Sequence, residues 1–93
     1  TDSVVLTYIG YAHRLAGRID AGLAYYDRAL AADPDNLRAR AYMGMGFLQA
    51  GDRDGALAQL AEIRARGGMG GWPDRALSDA IASGGTGSSA YGY

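Results

Sequence analysis

His13 is the only histidine in this 93-residue chain, and there is no cysteine. An imidazole acts as a catalytic base only with a Ser, Cys or second acid placed to work with it. No such residue is placed beside His13, which reads as a packed, hydrogen-bonded structural residue on an inward helix face. Metal binding needs a cluster of ligands, and the sequence holds no His/Cys cluster. Asp33-Pro34-Asp35-Asn36 has two carboxylates but lacks the spaced ligands and bidentate Glu of a calcium loop, so it reads as a turn. Gly67, Gly68, Gly70 and Gly71 stand in a stretch with no preceding strand and no Lys, unlike a phosphate-binding loop. The expectation is therefore no catalytic residue, no metal and no cofactor.

The bulk properties narrow the remaining classes. Ninety-three residues make one small domain with a modest core. A net charge of −1 provides no field to draw in nucleic acid or an anionic membrane. The absence of cysteine fits a reducing compartment and leaves the periplasm open. No run of about 18 apolar residues suited to spanning a membrane is present. The expectation is a soluble chain of cytoplasm or periplasm, processed or truncated at its start because Thr1 is not Met.

Hydrophobic spacing then supplies the elements. Val5, Leu6, Ile9, Ala12 and Ala16 recur at helical spacing, as do Ile19, Leu23, Tyr26, Ala29 and Leu30. The first helix is expected over Val4 to Ala16, capped by Asp2 or Ser3. Its β-branched Val4, Val5 and Thr7 leave a strand as the weaker alternative. The second runs about Asp20 to Ala32, with Asp20 as N-cap and Pro34 beyond its end. A third, about Leu37 to Ala50, is capped by Asp35 or Asn36. Gly44 and Gly46 weaken it, and a loop is the alternative there. A fourth, about Asp54 to Arg66, is capped by Asp54. Gly17 and Gly51 should close the first and third helices with positive φ. After the glycine-rich loop, Pro73 suits the first position of a short helix about 73–82, with Ala76, Leu77, Ala80 and Ile81 as its apolar stripe. The predicted core is Leu6, Ile9, Leu23, Tyr26, Leu30, Met43, Phe47, Leu57, Leu60 and Ile63.

The chain repeats itself with a period of 34 residues. On that shift Tyr8 meets Tyr42, Gly10 meets Gly44, Ala16-Gly17 meets Ala50-Gly51, and Leu23-Ala24 meets Leu57-Ala58. The period and the pattern of small and large residues resemble the tetratricopeptide repeat. The family's first-helix positions are held by Leu6, Ile9-Gly10 and His13, then by Arg40, Met43-Gly44 and Phe47. Its second-helix positions are held by Gly22, Tyr26, Ala29 and Pro34, then by Ala56, Leu60, Ile63 and Gly68. His13, Arg40 and Gly68 depart from the pattern and suggest a terminal pair of repeats. The resemblance implies an all-α fold: repeats over about 3–36 and 37–70, a capping helix that begins a third repeat, and a right-handed superhelical course.

The same resemblance implies a function. A concave groove would be lined by Thr7, Tyr8, Tyr11 and Arg14, then by Arg38, Tyr42, Met45 and Gln49, with Val4 and Ala41 beside them. Tyrosine offers a large contact area, few rotors to freeze and a polar tip, which suits peptide recognition. Tyr11 and Met45 are the better contact candidates, while Tyr8 and Tyr42 have inter-repeat packing as an alternative role. The family's carboxylate clamp of Lys and Asn is absent, because Thr7, Tyr11 and Tyr42 stand in its places. The expected function is non-catalytic binding of a protein or peptide partner. The alternative is self-association into a homodimer through exposed repeat ends. The tail over 83–93 is linker-like in composition, yet Tyr91 and Tyr93 are expected to dock near Trp72 or in a neighbouring molecule's groove.

Overall fold

The computed structural model describes residues 2–84, so Tyr91 and Tyr93 lie outside the described residues. The described residues form five α-helices: α1 Ser3–Leu15, α2 Ile19–Ala32, α3 Leu37–Gln49, α4 Arg53–Ile63 and α5 Trp72–Ala82. Helices α1 and α2 pack as one antiparallel hairpin, α3 and α4 as the next. α5 then covers α3 and α4, continuing the repeat by a single helix. The all-α expectation holds.

The two hairpins turn in the same way. Gly17 has φ 85° and Gly51 has φ 83°. At each, the glycine N–H donates to the carbonyl three residues back: Gly17 to Arg14 at 3.0 Å, and Gly51 to Leu48 at 3.0 Å. The following N–H reaches five residues back, from Arg18 to His13 at 2.9 Å and from Asp52 to Phe47 at 2.8 Å. This paired closure is the Schellman arrangement. Because it uses residues 18 and 52, the next helix starts directly after them. Asp20 and Asp54 therefore lie within first turns and are not the N-caps expected of them. There their charges suit the positive helix end. Asp52 caps α4 by accepting from Gly55 N at 2.8 Å, while Arg18 makes no cap and donates instead to His13 Nδ1 at 2.9 Å. Asp2 caps α1 and Asn36 caps α3, each one of the two residues expected.

α4 is shorter than expected. It ends at Ile63 and opens into a wider, π-type turn over Arg64–Gly68, closed by Gly67 at φ 90°. α5 starts one residue early, with Trp72 first and Pro73 second.

The core corrects three apolar assignments on α1 and α4. Val5 (51% exposed), Ile9 (36%) and Leu57 (41%) sit at the surface. One repeat later, Val5, Ile9 and Ala12 correspond to Ala39, Met43 and Gly46, which are all buried. The difference is the neighbour: α3 packs on α2 of the previous hairpin, and a Cβ on Gly46 would stand 3.0 Å from Leu23 Cδ2. An alanine at 46 would require the tip of Leu23 to shift by a few tenths of an ångström. Among the described residues no hairpin precedes α1, so the same stripe faces outward. Leu57 lies on α4, against which the described residues beyond the hairpin place only α5. Leu23, Leu30 and Phe47 are half-buried, whereas Leu6, Tyr26, Met43, Leu60 and Ile63 are buried as expected. The core centres on α3, with Leu77, Ala76, Ala80 and Ile81 of α5 closing it.

Candidate functional site

α3 is packed by α2, α4 and α5 and also touches α1, so residues 39–46 are buried without a break. This decides the fate of the expected groove residues on α3. Met45 is 0% exposed and Ala41 and Tyr42 are buried with it, so none of the three is a surface contact. For Met45, a preferred contact residue, this is a correction. Gly44 shows how closely α5 is applied, since a Cβ there would lie 2.6 Å from Leu77 Cδ2.

On α1 the expected residues separate by depth. Thr7 is buried, and its hydroxyl donates to the Ser3 carbonyl at 2.8 Å while accepting from Asn36 Nδ2 at 3.1 Å. The same amide group reaches Ser3 Oγ at 2.9 Å, so the cap of α3 also pins α1 to it. Tyr8 is exposed (45%), and Tyr11 is half-buried, stacked on Tyr42 at 5.0 Å between ring centres. Arg14 is 2% exposed, an unusual depth for a guanidinium. Its Nε donates to the Tyr26 hydroxyl at 3.3 Å and its Nη1 to Gln49 Oε1 at 3.0 Å. Its Nη2 has no hydrogen-bond partner. The Tyr11 and Tyr42 rings lie 5.5 and 5.9 Å from the guanidinium carbon and supply attraction in place of a carboxylate. Burial pushes the Tyr26 hydroxyl pKa up, against the lowering effect of Arg14.

Arg38 completes a chain of rings and cations across α1, α3 and the start of α5. Its guanidinium lies over the Trp72 ring at 5.2 Å and the Tyr8 ring at 5.7 Å, and Nη1 donates to the Tyr8 hydroxyl. Trp72 in turn meets Tyr42 at 6.3 Å, which meets Tyr26 at the same separation. Beside Arg38 opens a cleft of about 430 Å³, lined by Val4, Thr7, Tyr8, Asn36, Leu37, Arg38, Gly68, Gly71, Trp72 and Pro73. It thus brings together Thr7, Tyr8 and Arg38 of the expected set. Tyr11, Arg14, Tyr42, Met45 and Gln49 are not among its lining residues. Leu37, Trp72 and the glycines had not been assigned to a site. The available signal was a lone Trp-Pro pair at a helix start inside a glycine-rich loop.

Two further side chains outside the expected site fix the frame. Asp74 is buried and accepts from Arg64 Nε and Nη2 at 3.1 and 2.9 Å, from Gly70 N at 2.8 Å and from Ser78 Oγ at 3.0 Å. Arg64 first, then the Gly70 N–H, lowers its pKa from 3.8 to about 2. Arg40 is 7% exposed, with Nε donating to the Pro34 carbonyl at 2.9 Å and Nη1 to Gln59 Oε1 at 3.0 Å. Burial, and then the nearby Arg66, lowers its pKa. His13 stacks on Tyr25 at 5.3 Å and accepts from Arg18, a structural placement.

Among the described residues no three His, Cys, Asp or Glu side chains form a group that could hold a metal ion. No helix among them is long and apolar enough to cross a membrane. No curated protein and no solved structure matches the chain. A family model described as tetratricopeptide repeat matches residues 13–69, more than half of the sequence. Together with the two hairpin turns closed in the same way and the 34-residue period, this match places the chain in the tetratricopeptide repeat family, whose repeats generally mediate protein–protein interaction.

Proposed function

We propose that the chain is a non-catalytic binding module that holds a peptide or helix of a partner protein against the face shared by α1, α3 and the start of α5. The observation that carries this reading is the cleft beside Tyr8, Arg38 and Trp72, of a size found for binding pockets. Its walls combine an exposed tyrosine and arginine with the apolar Val4, Leu37 and Pro73, the mixture favoured at interfaces. A protein retained from a lysate of the source cell by the immobilised chain, and lost with Tyr8→Ala, supports the reading. Retention unchanged by Tyr8→Ala and by Val4→Asp overturns it.

A second reading is favoured by the outward stripe of Val5 and Ile9 on α1, which are 51% and 36% exposed. A second copy would cover that stripe as α2 covers its counterpart on α3. Light scattering during size-exclusion decides: a dimer abolished by Ile9→Asp supports self-association, and a monomer at high micromolar concentration removes it.

A further inference from the structure

We infer that the cleft selects a carboxylate-bearing residue of the bound segment, with Arg38 as its receptor. This rests on the peptide-binding reading above.

Among the described residues only Arg64, tied to Asp74, and Arg66, tied to Asp35 and Glu62, form ion pairs, each at 2.9 Å or less. Of the arginines that form none, Arg38 is the one that lines the cleft. Arg38 is exposed and, among the described residues, forms no ion pair. Its position is nevertheless set, by one hydrogen bond to the Tyr8 hydroxyl and by two ring faces. A guanidinium has five N–H donors in a rigid planar fork. Among the described residues only one is used, on Tyr8. The rest can meet both oxygens of a carboxylate, the geometry at which Arg exceeds Lys.

The cleft lies at the beginnings of α3 and α5, the first capped by Asn36 and the second carrying Asp74, paired with Arg64, in its first turn. Val4, Leu37 and Pro73 complete the lining with apolar surface and bring no acidic group to it. The segment that complements both halves is an Asp or Glu with an apolar residue next to it. Aspartate and glutamate slightly outnumber the basic residues in the chain as a whole, so this positive site is local.

The test is selection of short random peptides displayed on phage against the intact chain. Recovered sequences should share an acidic residue beside an apolar one. A synthetic peptide from the selection should bind on the order of tenfold more weakly when its Glu becomes Gln. Arg38→Gln should weaken the original peptide by a similar factor and abolish the difference between the two peptides, as coupling in a double-mutant cycle requires. Arg38→Lys should recover only part of the loss, and raised salt should weaken binding. Because Arg38 is exposed, these variants keep the fold, which circular dichroism checks. Selected peptides without acidic preference, or Glu/Gln discrimination that survives Arg38→Gln, overturn the assignment while leaving peptide binding in place. Failure to recover any peptide, or binding indifferent to Tyr8→Ala, overturns the peptide-binding reading itself.

Discussion

Gly22 of α2 rests on the backbone of Gly10 of α1: a Cβ added to Gly22 would stand 2.9 Å from the Gly10 carbonyl oxygen. The approach is reciprocal, since a Cβ on Gly10 would meet the Tyr26 ring at 2.9 Å and the Gly22 carbonyl at 3.0 Å. The obstacle at Gly22 is main chain, which cannot swing aside as a side-chain tip can. Gly22→Ala should therefore destabilise the fold by about 1–2 kcal/mol, although alanine is the better helix former by about 1 kcal/mol. Thermal unfolding followed by circular dichroism measures it; an increase in midpoint would show that the hairpin can spread at no cost.

At Gly51 the constraint is conformational only, because nothing lies within 4 Å of an added Cβ. With φ at 83°, Gly51→Ala should cost about 1 kcal/mol through left-handed strain. Urea titration should show a lower midpoint with an unchanged slope.

Met45 and Ile9 test the core in opposite directions. Met45→Ala removes a side chain that is 0% exposed and should cost about 2–5 kcal/mol. Ile9→Ala removes one that is 36% exposed and should cost about 1 kcal/mol or less. Equal losses would contradict the placement of α3 at the centre.

Asp74 makes stability depend on acid. Its carboxyl titrates near 3.8 in the unfolded chain and at about 2 in the fold. The unfolded state therefore takes up a proton first as pH drops. The contribution is complete above about pH 4 and disappears between there and pH 2. With Arg64 partly exposed it amounts to about 1–2 kcal/mol. Asp74→Asn should be less stable than the parent at pH 7, and the gap should close by about pH 2. A gap independent of pH would mean that the carboxylate is not the source.

What was legible in the sequence follows a physical division. Leu6, Gly22, Tyr26, Ala29, Ala56 and Ile63, which hold repeat positions by sequence, are all buried. Their spacing marks one face of each helix, and that face is the one the helix hairpins enclose. Helical periodicity misplaced Val5, Ile9 and Leu57, because spacing marks an apolar stripe and not the neighbour that would cover it. Two caps were misplaced by two residues because a Schellman closure lets the next helix begin sooner than the aspartates suggest. Of the expected groove residues, Thr7, Tyr8 and Arg38 line the cleft, whereas Met45 lies in the core. Its burial requires α5 to fold back over α3, a long-range event that no local pattern around Met45 records. The cleft walls from Gly68 to Pro73 were hidden for the same reason.

The order in which the helices meet also bears on how quickly the chain finds this arrangement. Its two most extensive interfaces join α1 to α2 and α3 to α4, each across a turn of a few residues. Contacts so close in sequence cost little loop-closure entropy, and helical proteins built from them fold within microseconds to milliseconds. The hairpins can form independently and then dock through α2 and α3. The contact of α5 with α3 spans more chain, bridging α4 and the glycine-rich turn. It therefore belongs late on the folding route, and the cleft forms only when that step is complete.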